Sequence, residues 1–173
     1  MSDKVKKITR LAILMAAALI ISYVENLIGL NVNFPGIKLG IANVFLTYII
    51  YEYGFLTCFG FGLTRAVLSM VFTGRLASVF FSVTGIVFAC IAMGLVKKSG
   101  KFSCLGVNVS GAVFHVIGQL VAAVFVMGTV GVLKLTPLYV LASTICGILT
   151  YIPLRVVLSV ADRLGKKKNK EQK

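Results

Sequence analysis

The chain has 173 residues, of which 58% are hydrophobic and 13% charged, and its formal net charge is +13. Soluble domains are nearer to half apolar and about a quarter charged, so a single small core cannot bury this many apolar side chains. The composition excludes an ordinary soluble domain and predicts an integral membrane protein whose outer surface faces lipid.

The positive charge lies in short clusters beside the apolar segments. Lysines and arginines gather at 4–10, 97–101 and 163–173, and each cluster flanks an apolar run. This distribution is typical of the topology signals of membrane proteins. Basic ends beside membrane spans are common, so we expect no nucleic-acid partner.

The cysteines and the single histidine give no pattern of a metal or redox site. Cys58, Cys90, Cys104 and Cys146 lie in or beside apolar runs, and no pair has CxxC spacing. This favours small apolar packing residues over a disulfide. His115 has no cysteine or carboxylate neighbour at ligand spacing, so we expect neither a metal nor a cofactor.

Six apolar segments predict six transmembrane helices. The predicted helices cover 8–28, 39–53, 55–73, 76–96, 104–128 and 136–161. Most approach the ~20 residues that a bilayer requires, although the second is short. The predicted fold class is an all-α integral membrane protein, with a six-helix membrane domain at 8–161 between a basic N-terminus, 1–7, and a basic tail, 162–173.

An even number of spans puts both termini on one side of the membrane. With both termini cytoplasmic, thirteen lysines and arginines fall on the cytoplasmic side and three on the outer side. The positive-inside rule therefore favours this orientation in the cell membrane. The stretch "NVNFPGIKLG" at 31–40 then forms the outer loop between the first two helices, where Pro35 and Gly36 break helix.

Polar side chains within the predicted spans mark a candidate site. An ionisable group inside a span costs ~2.5–3.5 kcal/mol on insertion scales and normally faces the bundle interior or a cavity. Four helices and one loop bring such residues to the middle or outer half of the predicted bundle. The predicted substrate-binding residues are Glu25, Lys38, Asn43, Arg65, His115 and Gln119.

Two interpretations of these residues remain open. In the first, Arg65 and Lys38 supply positive charge for an anionic group. The amides and the histidine then provide directional hydrogen bonds. Glu25 can also neutralise one cation, which leaves a polar but nearly neutral site. In the second, Arg65 and Glu25 form a structural pair that only holds the helices together.

Small residues on the first predicted helix mark a candidate docking face. Ala12 and Ala16 form an AxxxA motif. Faces of this kind let membrane helices approach closely. The motif serves either packing within the chain or docking to another membrane subunit.

Several strings together resemble a known family. "SYVENLIGLNVNFPGIKLGIANV", "LTRAVLSMVFTG", "FSVTG" and "SGAVFHVIGQL" resemble the Gx transporters, also labelled heptaprenyl diphosphate synthase component I, over roughly 8–160. That family is similar to the S components of energy-coupling factor transporters. The resemblance implies an S-component-like bundle with a site in the outer half. It also implies docking of a coupling transmembrane subunit at Ala12 and Ala16, with separate ATPases as further partners.

Catalysis by the chain alone is not expected. Prenyl chain elongation needs aspartate-rich clusters that hold Mg²⁺ against diphosphates. The two aspartates, Asp3 and Asp162, instead stand near opposite ends of the chain. There is no GxxxxGK[ST] nucleotide motif either, so energy from ATP would come from a partner.

Three functions are compatible with these features. The first is the substrate-binding subunit of an uptake transporter for a small molecule that is anionic or resembles a vitamin, quinone or isoprenoid. The second is a membrane accessory component of prenyl diphosphate or menaquinone synthesis, with a soluble prenyl synthase as partner. The third is a membrane component of an electron-transfer assembly. The outer position of the polar residues favours the first.

Overall fold

The computed structural model describes residues 3–27, 41–73 and 76–171, with side chains described at 4–25, 41–71 and 79–155. This part of the chain is helical and contains no strand. Its six α-helices are α1 (Asp3–Leu27), α2 (Asn43–Glu52), α3 (Phe55–Thr73), α4 (Leu76–Ser99), α5 (Cys104–Met127) and α6 (Thr136–Glu171). A short 3-10 helix, Val130–Leu135, leads into α6. The all-α prediction is confirmed.

Several helices are long and apolar enough to cross a membrane, as judged by length and composition. Four such stretches lie within the described residues, at Lys4–Glu25, Val79–Ser99, Cys104–Met127 and Val130–Arg155, and a shorter apolar helix covers Phe55–Val71. These helices support the membrane class. The full set of six spans and the cytoplasmic termini stay predictions.

Four helices differ from the predicted bounds by three residues or more. Helix α1 begins at Asp3 instead of 8, and α4 ends at Ser99 instead of 96. Helix α2 has 10 residues, which at 1.5 Å per residue cover roughly half of a ~30 Å hydrocarbon core. Helix α6 begins at Thr136 as predicted but continues to Glu171, beyond the predicted end at 161. Its extension runs through the basic tail, which is rich in lysine, a good helix former.

The bundle is built around the pair α4 and α5, which make the most extensive helix–helix contact within the described part of the chain. An added Cβ at Gly118 on α5 would lie 2.6 Å from the carbonyl oxygen of Thr84 on α4. Only glycine therefore permits this approach, as is common in membrane helix interfaces. Helix α6 packs on α5, α2 packs on α3, α5 and α6, and α1 packs mainly on α3.

Two lysines contact the end of α2 and the turn that follows it, at one end of the bundle. Lys97 Nζ, near the end of α4, donates to the carbonyl of Ile50 and lies 4.7 Å from the ring centroid of Tyr51. Lys7 Nζ, near the start of α1, lies 5.3 Å from the ring centroid of Tyr53. We call this end, where both lysines lie, the basic end.

Candidate functional site

A small polar cavity lies between α1, α3, α4 and α5, beside the start of α2. Its lining residues are Ser22, Glu25, Ala42, Arg65, Ala66, Ser69, Ser82 and His115. The six polar or charged side chains among them are each at most 8% exposed. Burial of polar groups is costly unless they are paired, so their concentration in one place marks a candidate binding site.

The cavity is small in this structure. Its volume is about 10 Å³, which is room for about one water molecule. A larger ligand therefore requires a movement of the helices or the lining side chains.

Arg65 is the positively charged residue among the described residues that line the cavity, and it interacts with both Asn43 and Glu25. Its Nη2 donates a hydrogen bond to Asn43 Oδ1 across 3.3 Å, and the guanidinium interacts electrostatically with Glu25. Its Nη1 is buried and has no hydrogen-bond partner within the described part of the chain. A buried unsatisfied donor costs ~1–3 kcal/mol, and more when charged. Arg65 thus presents a donor at the cavity that a ligand can satisfy.

Glu25 and Asn43 connect the cavity to the start of α2. Glu25 Oε1 accepts a hydrogen bond from the backbone N–H of Ile41 at 3.4 Å. Asn43 Nδ2 donates to the carbonyl of Gly111 on α5 at 3.5 Å. Together with Arg65, these residues link the beginning of α2 to α1, α3 and α5.

His115 is held tightly on the α5 side of the cavity. Its Nε2 lies 3.2 Å from Gln119 Nε2, one helical turn further along α5. On its other side, an added Cβ at Gly85 of α4 would lie 2.8 Å from His115 Cε1. The glycine and the glutamine therefore fix the position of the imidazole ring.

The structure brings together most of the residues that the sequence singled out. Glu25, Arg65 and His115 line the cavity, and Asn43 and Gln119 contact lining residues through hydrogen bonds. Lys38 lies outside the described residues. The ligand-binding role of the set stays a prediction.

Sequence reasoning missed three serines that line the cavity, Ser22, Ser69 and Ser82. Serine is common in membrane helices as a small packing residue, so none stands out alone. A signal was available in their spacing: Ser22 precedes Glu25 by three residues, and Ser69 follows Arg65 by four. Residues at these spacings share one face of a helix.

The predicted docking face lies on the outside of α1. Ala12 and Ala16 are exposed, whereas Ala18, Ser22 and Glu25 on the same helix are buried. A groove beside Ala16 is lined also by Leu19, Ile20 and Tyr23. The face is thus turned away from the chain's own bundle.

Two cysteines lie side by side in the interior. Cys58 Sγ on α3 and Cys90 Sγ on α4 are 3.8 Å apart, and both residues are fully buried. Neither forms a disulfide. Their surroundings, which include Leu46 and Ile86, form the main apolar core, in agreement with a packing role.

The described part of the chain is all-helical, contains apolar helices of membrane-spanning length and buries a small polar cavity between them. These features are typical of the class of helical membrane proteins that hold polar groups inside the bundle. The family model described as heptaprenyl diphosphate synthase component I matches residues 14–156, and the chain belongs to this family. The match confirms the resemblance to heptaprenyl diphosphate synthase component I, while the similarity to S components of energy-coupling factor transporters stays a prediction. No curated protein and no solved structure matches the chain.

Proposed function

We propose that this chain is a membrane-embedded binding component for a small polar molecule, and that it is not itself a catalyst. The observation that carries the proposal is Arg65 Nη1, a buried guanidinium nitrogen without a described hydrogen-bond partner at a polar cavity. An acceptor atom of a ligand would satisfy this nitrogen through a charge-assisted hydrogen bond. The ligand would therefore gain affinity from a group that the chain alone leaves unsatisfied.

The residue chemistry supports binding without catalysis. Among the described residues that line the cavity, Glu25 is the one carboxylate, whereas prenyl transfer needs several carboxylates to hold Mg²⁺. The proposed roles are those of a binding site. Arg65 and Glu25 provide charge, His115 and Asn43 direct hydrogen bonds, and Gln119 orients His115.

The family membership supports one biological process, or setting, in which such a binding component would work. Its description, heptaprenyl diphosphate synthase component I, favours a membrane accessory to prenyl diphosphate or menaquinone synthesis. The partner would then be a soluble, aspartate-rich prenyl synthase. Of the two settings considered, this one has the more direct support from the comparisons.

The position of the cavity supports a second setting, an S-component-like subunit of an uptake transporter. Glu25 lies about five turns along α1 from Lys7, so the cavity lies away from the basic end. If the basic end is cytoplasmic, as the positive-inside rule favours, the site faces outward. The exposed Ala12 and Ala16 would then dock a coupling subunit that works with ATPases. The electron-transfer alternative has no comparable support among the described residues, and we do not propose it.

Native mass spectrometry of the protein extracted gently from its own membrane tests the proposal. We expect a small molecule to accompany the wild type and the control variant Arg155→Gln, which alters an exposed arginine of α6. Arg65→Gln should lose that molecule while retaining its helical circular dichroism. An unchanged molecule in Arg65→Gln, or none in the wild type, contradicts the proposal.

The same preparation distinguishes the two settings. A co-purified soluble prenyl synthase supports the accessory role. A co-purified membrane subunit with ATPases supports the uptake role.

A further inference from the structure

The charged side chains that the structure describes around the cavity have a net charge of zero. Arg65 and Glu25 are its two charged lining residues among those that the structure describes, and they are 6% and 5% exposed. They also interact with each other electrostatically. In a buried site, where screening by water and salt is weak, the carboxylate offsets much of the attraction that the guanidinium would exert on an incoming anion.

Glu25 also accepts a backbone N–H that an anion would otherwise bind, just before α2. The beginning of a helix attracts anions because its first backbone N–H groups point outward without partners. At α2 several of these groups already have partners. Ala42, the residue just before the helix, lines the cavity, and the N–H of Ile41 before it donates to Glu25 Oε1. The N–H groups of Val44 and Phe45 in the first turn donate to the carbonyls of Ile41 and Ala42. The chain's own carboxylate and carbonyls therefore already accept from N–H groups that a ligand phosphate would otherwise bind beside Arg65.

A diphosphate is poorly matched to this arrangement. It carries more than one negative charge at neutral pH, and proteins bind such groups with several cations, open helix N-termini or Mg²⁺. The described cavity offers one guanidinium together with a carboxylate. Glu25 would repel a diphosphate at close range.

The remaining polar groups suit a neutral ligand. Ser22, Ser69 and Ser82 come from three different helices and each can donate or accept a hydrogen bond. Arg65 Nη1 is a donor that any carbonyl oxygen can satisfy. An N–H group placed beside that carbonyl would in turn find an acceptor in Glu25.

We propose that this cavity selects a head group of zero net charge that carries both a carbonyl and an N–H, such as an amide, imide or ureide, and that Glu25 excludes diphosphates from it. This inference rests on the proposed binding function and names the class of its ligand. It assigns Glu25 the role of a specificity-determining residue and adds the three serines to the site.

The test measures the binding of inorganic pyrophosphate by isothermal titration calorimetry. The full chain is held in nanodiscs of neutral phosphatidylcholine, in buffer without divalent cations. The proteins are the wild type, Glu25→Gln, the double variant Glu25→Gln/Arg65→Gln, and the control Glu52→Gln. Glu52 is an exposed carboxylate at the far end of α2, so its replacement changes the net charge equally but leaves the cavity intact.

The wild type and Glu52→Gln should show no saturable binding of pyrophosphate. Glu25→Gln should bind it saturably, with a Kd at least about tenfold below the weakest affinity that the titration detects, because one opposing charge in a poorly screened site has been removed. The double variant should return to the wild-type level. Thermal unfolding of each protein checks the fold, and Glu25→Ser replaces Glu25→Gln if the latter does not fold.

Two calorimetric results overturn the inference. One is saturable binding of pyrophosphate to the wild type. Because the full chain is titrated, this measurement already includes any attraction that Lys38 exerts on pyrophosphate. The other is the absence of any gain in the folded Glu25 variant. Failure of the proposed function looks different, because then no small molecule accompanies the wild-type protein. A co-purified molecule that bears a diphosphate would keep the binding function and overturn only this inference.

Discussion

Arg65 Nη2 donates a hydrogen bond to Asn43 Oδ1 across 3.3 Å, and this contact joins the middle of α3 to the first residue of α2. Asn43→Leu keeps a similar volume but removes the acceptor. We expect the free energy of unfolding to fall by ~1–2 kcal/mol, since a buried charged donor loses its partner. Thermal unfolding in detergent, followed by circular dichroism, measures the change.

The control for Asn43 is Thr64→Val on α3. The Thr64 hydroxyl is exposed and donates to the carbonyl of Gly60 in its own helix, so its loss should leave the unfolding midpoint nearly unchanged. Equal midpoints for Asn43→Leu and the wild type would show that the contact adds no stability.

The close crossing of α4 and α5 gives a second prediction, based on two glycine-to-alanine changes. At Gly85 the new Cβ would meet the ring and the carbonyl oxygen of His115 at 2.8–2.9 Å, whereas at Gly60 nothing lies within 4 Å. We expect Gly85→Ala to destabilise the protein by ~1–3 kcal/mol through overpacking. Gly60→Ala should be neutral or stabilising by up to ~1 kcal/mol.

The same variants also report on the site. Because Gly85 contacts the His115 ring, Gly85→Ala should weaken retention of a co-purified ligand in native mass spectrometry, and Gly60→Ala should not. A ligand retained equally by both would argue against a role of His115 in binding.

Hydropathy located the helices well where apolar runs end at turn residues. Helix α3 was predicted at 55–73 and is Phe55–Thr73, since Gly54, with φ of 85°, ends the preceding turn. The end of α6 was missed because hydropathy marks the end of an apolar run, while helix propensity persists into a lysine-rich tail.

The ionisable residues of the site could also be predicted from the contrast between single residues and the apolar runs around them. Glu25, Arg65 and His115 stand out because ionisable groups are rare within apolar runs. The serines do not stand out, and the way in which Gly85 and Gly118 bring α4 against α5 depends on tertiary packing. That packing determines which polar residues of different helices face one cavity.

The lysines at the basic end give a third prediction. Lys97→Met should lower the unfolding free energy by ~1 kcal/mol, because Lys97 donates to the carbonyl of Ile50 and lies over the Tyr51 ring. Lys98→Met is the matched control, since Lys98 is an exposed neighbour. Both variants remove one positive charge from the same end and so affect topology alike. Indistinguishable unfolding curves would contradict a stabilising role for Lys97.

The exposed face of α1 gives a fourth prediction, which concerns docking. Ala16→Trp places a bulky side chain beside the groove that Leu19 and Tyr23 line. We expect the thermal stability to stay unchanged. After chemical cross-linking in native membranes, a membrane partner should co-purify with the wild type but not with Ala16→Trp. The control is Leu149→Trp at a 59% exposed position of α6. Equal partner recovery from both variants would place the docking surface elsewhere.

A buried amide away from the cavity gives the last prediction. Asn108 on α5 is 1% exposed; its Oδ1 accepts from Thr47 Oγ1 at 2.8 Å, and its Nδ2 donates to the carbonyl of Gly147 at 2.7 Å. It thereby joins α2, α5 and α6. Asn108→Leu should lower the unfolding free energy by ~1–2 kcal/mol, because interhelical hydrogen bonds in membrane proteins contribute ~0.6 kcal/mol on average and leave buried partners unsatisfied when broken.

Asn108 also separates stability from binding. It does not line the cavity, so Asn108→Leu should lower the unfolding midpoint but retain a co-purified ligand at temperatures where the protein is folded. Ser110→Ala is the control, since the Ser110 hydroxyl donates to the carbonyl of Val107 in the same helix. Loss of ligand from folded Asn108→Leu would instead mean that α2 transmits changes at Thr47 to Asn43 and thus to Arg65.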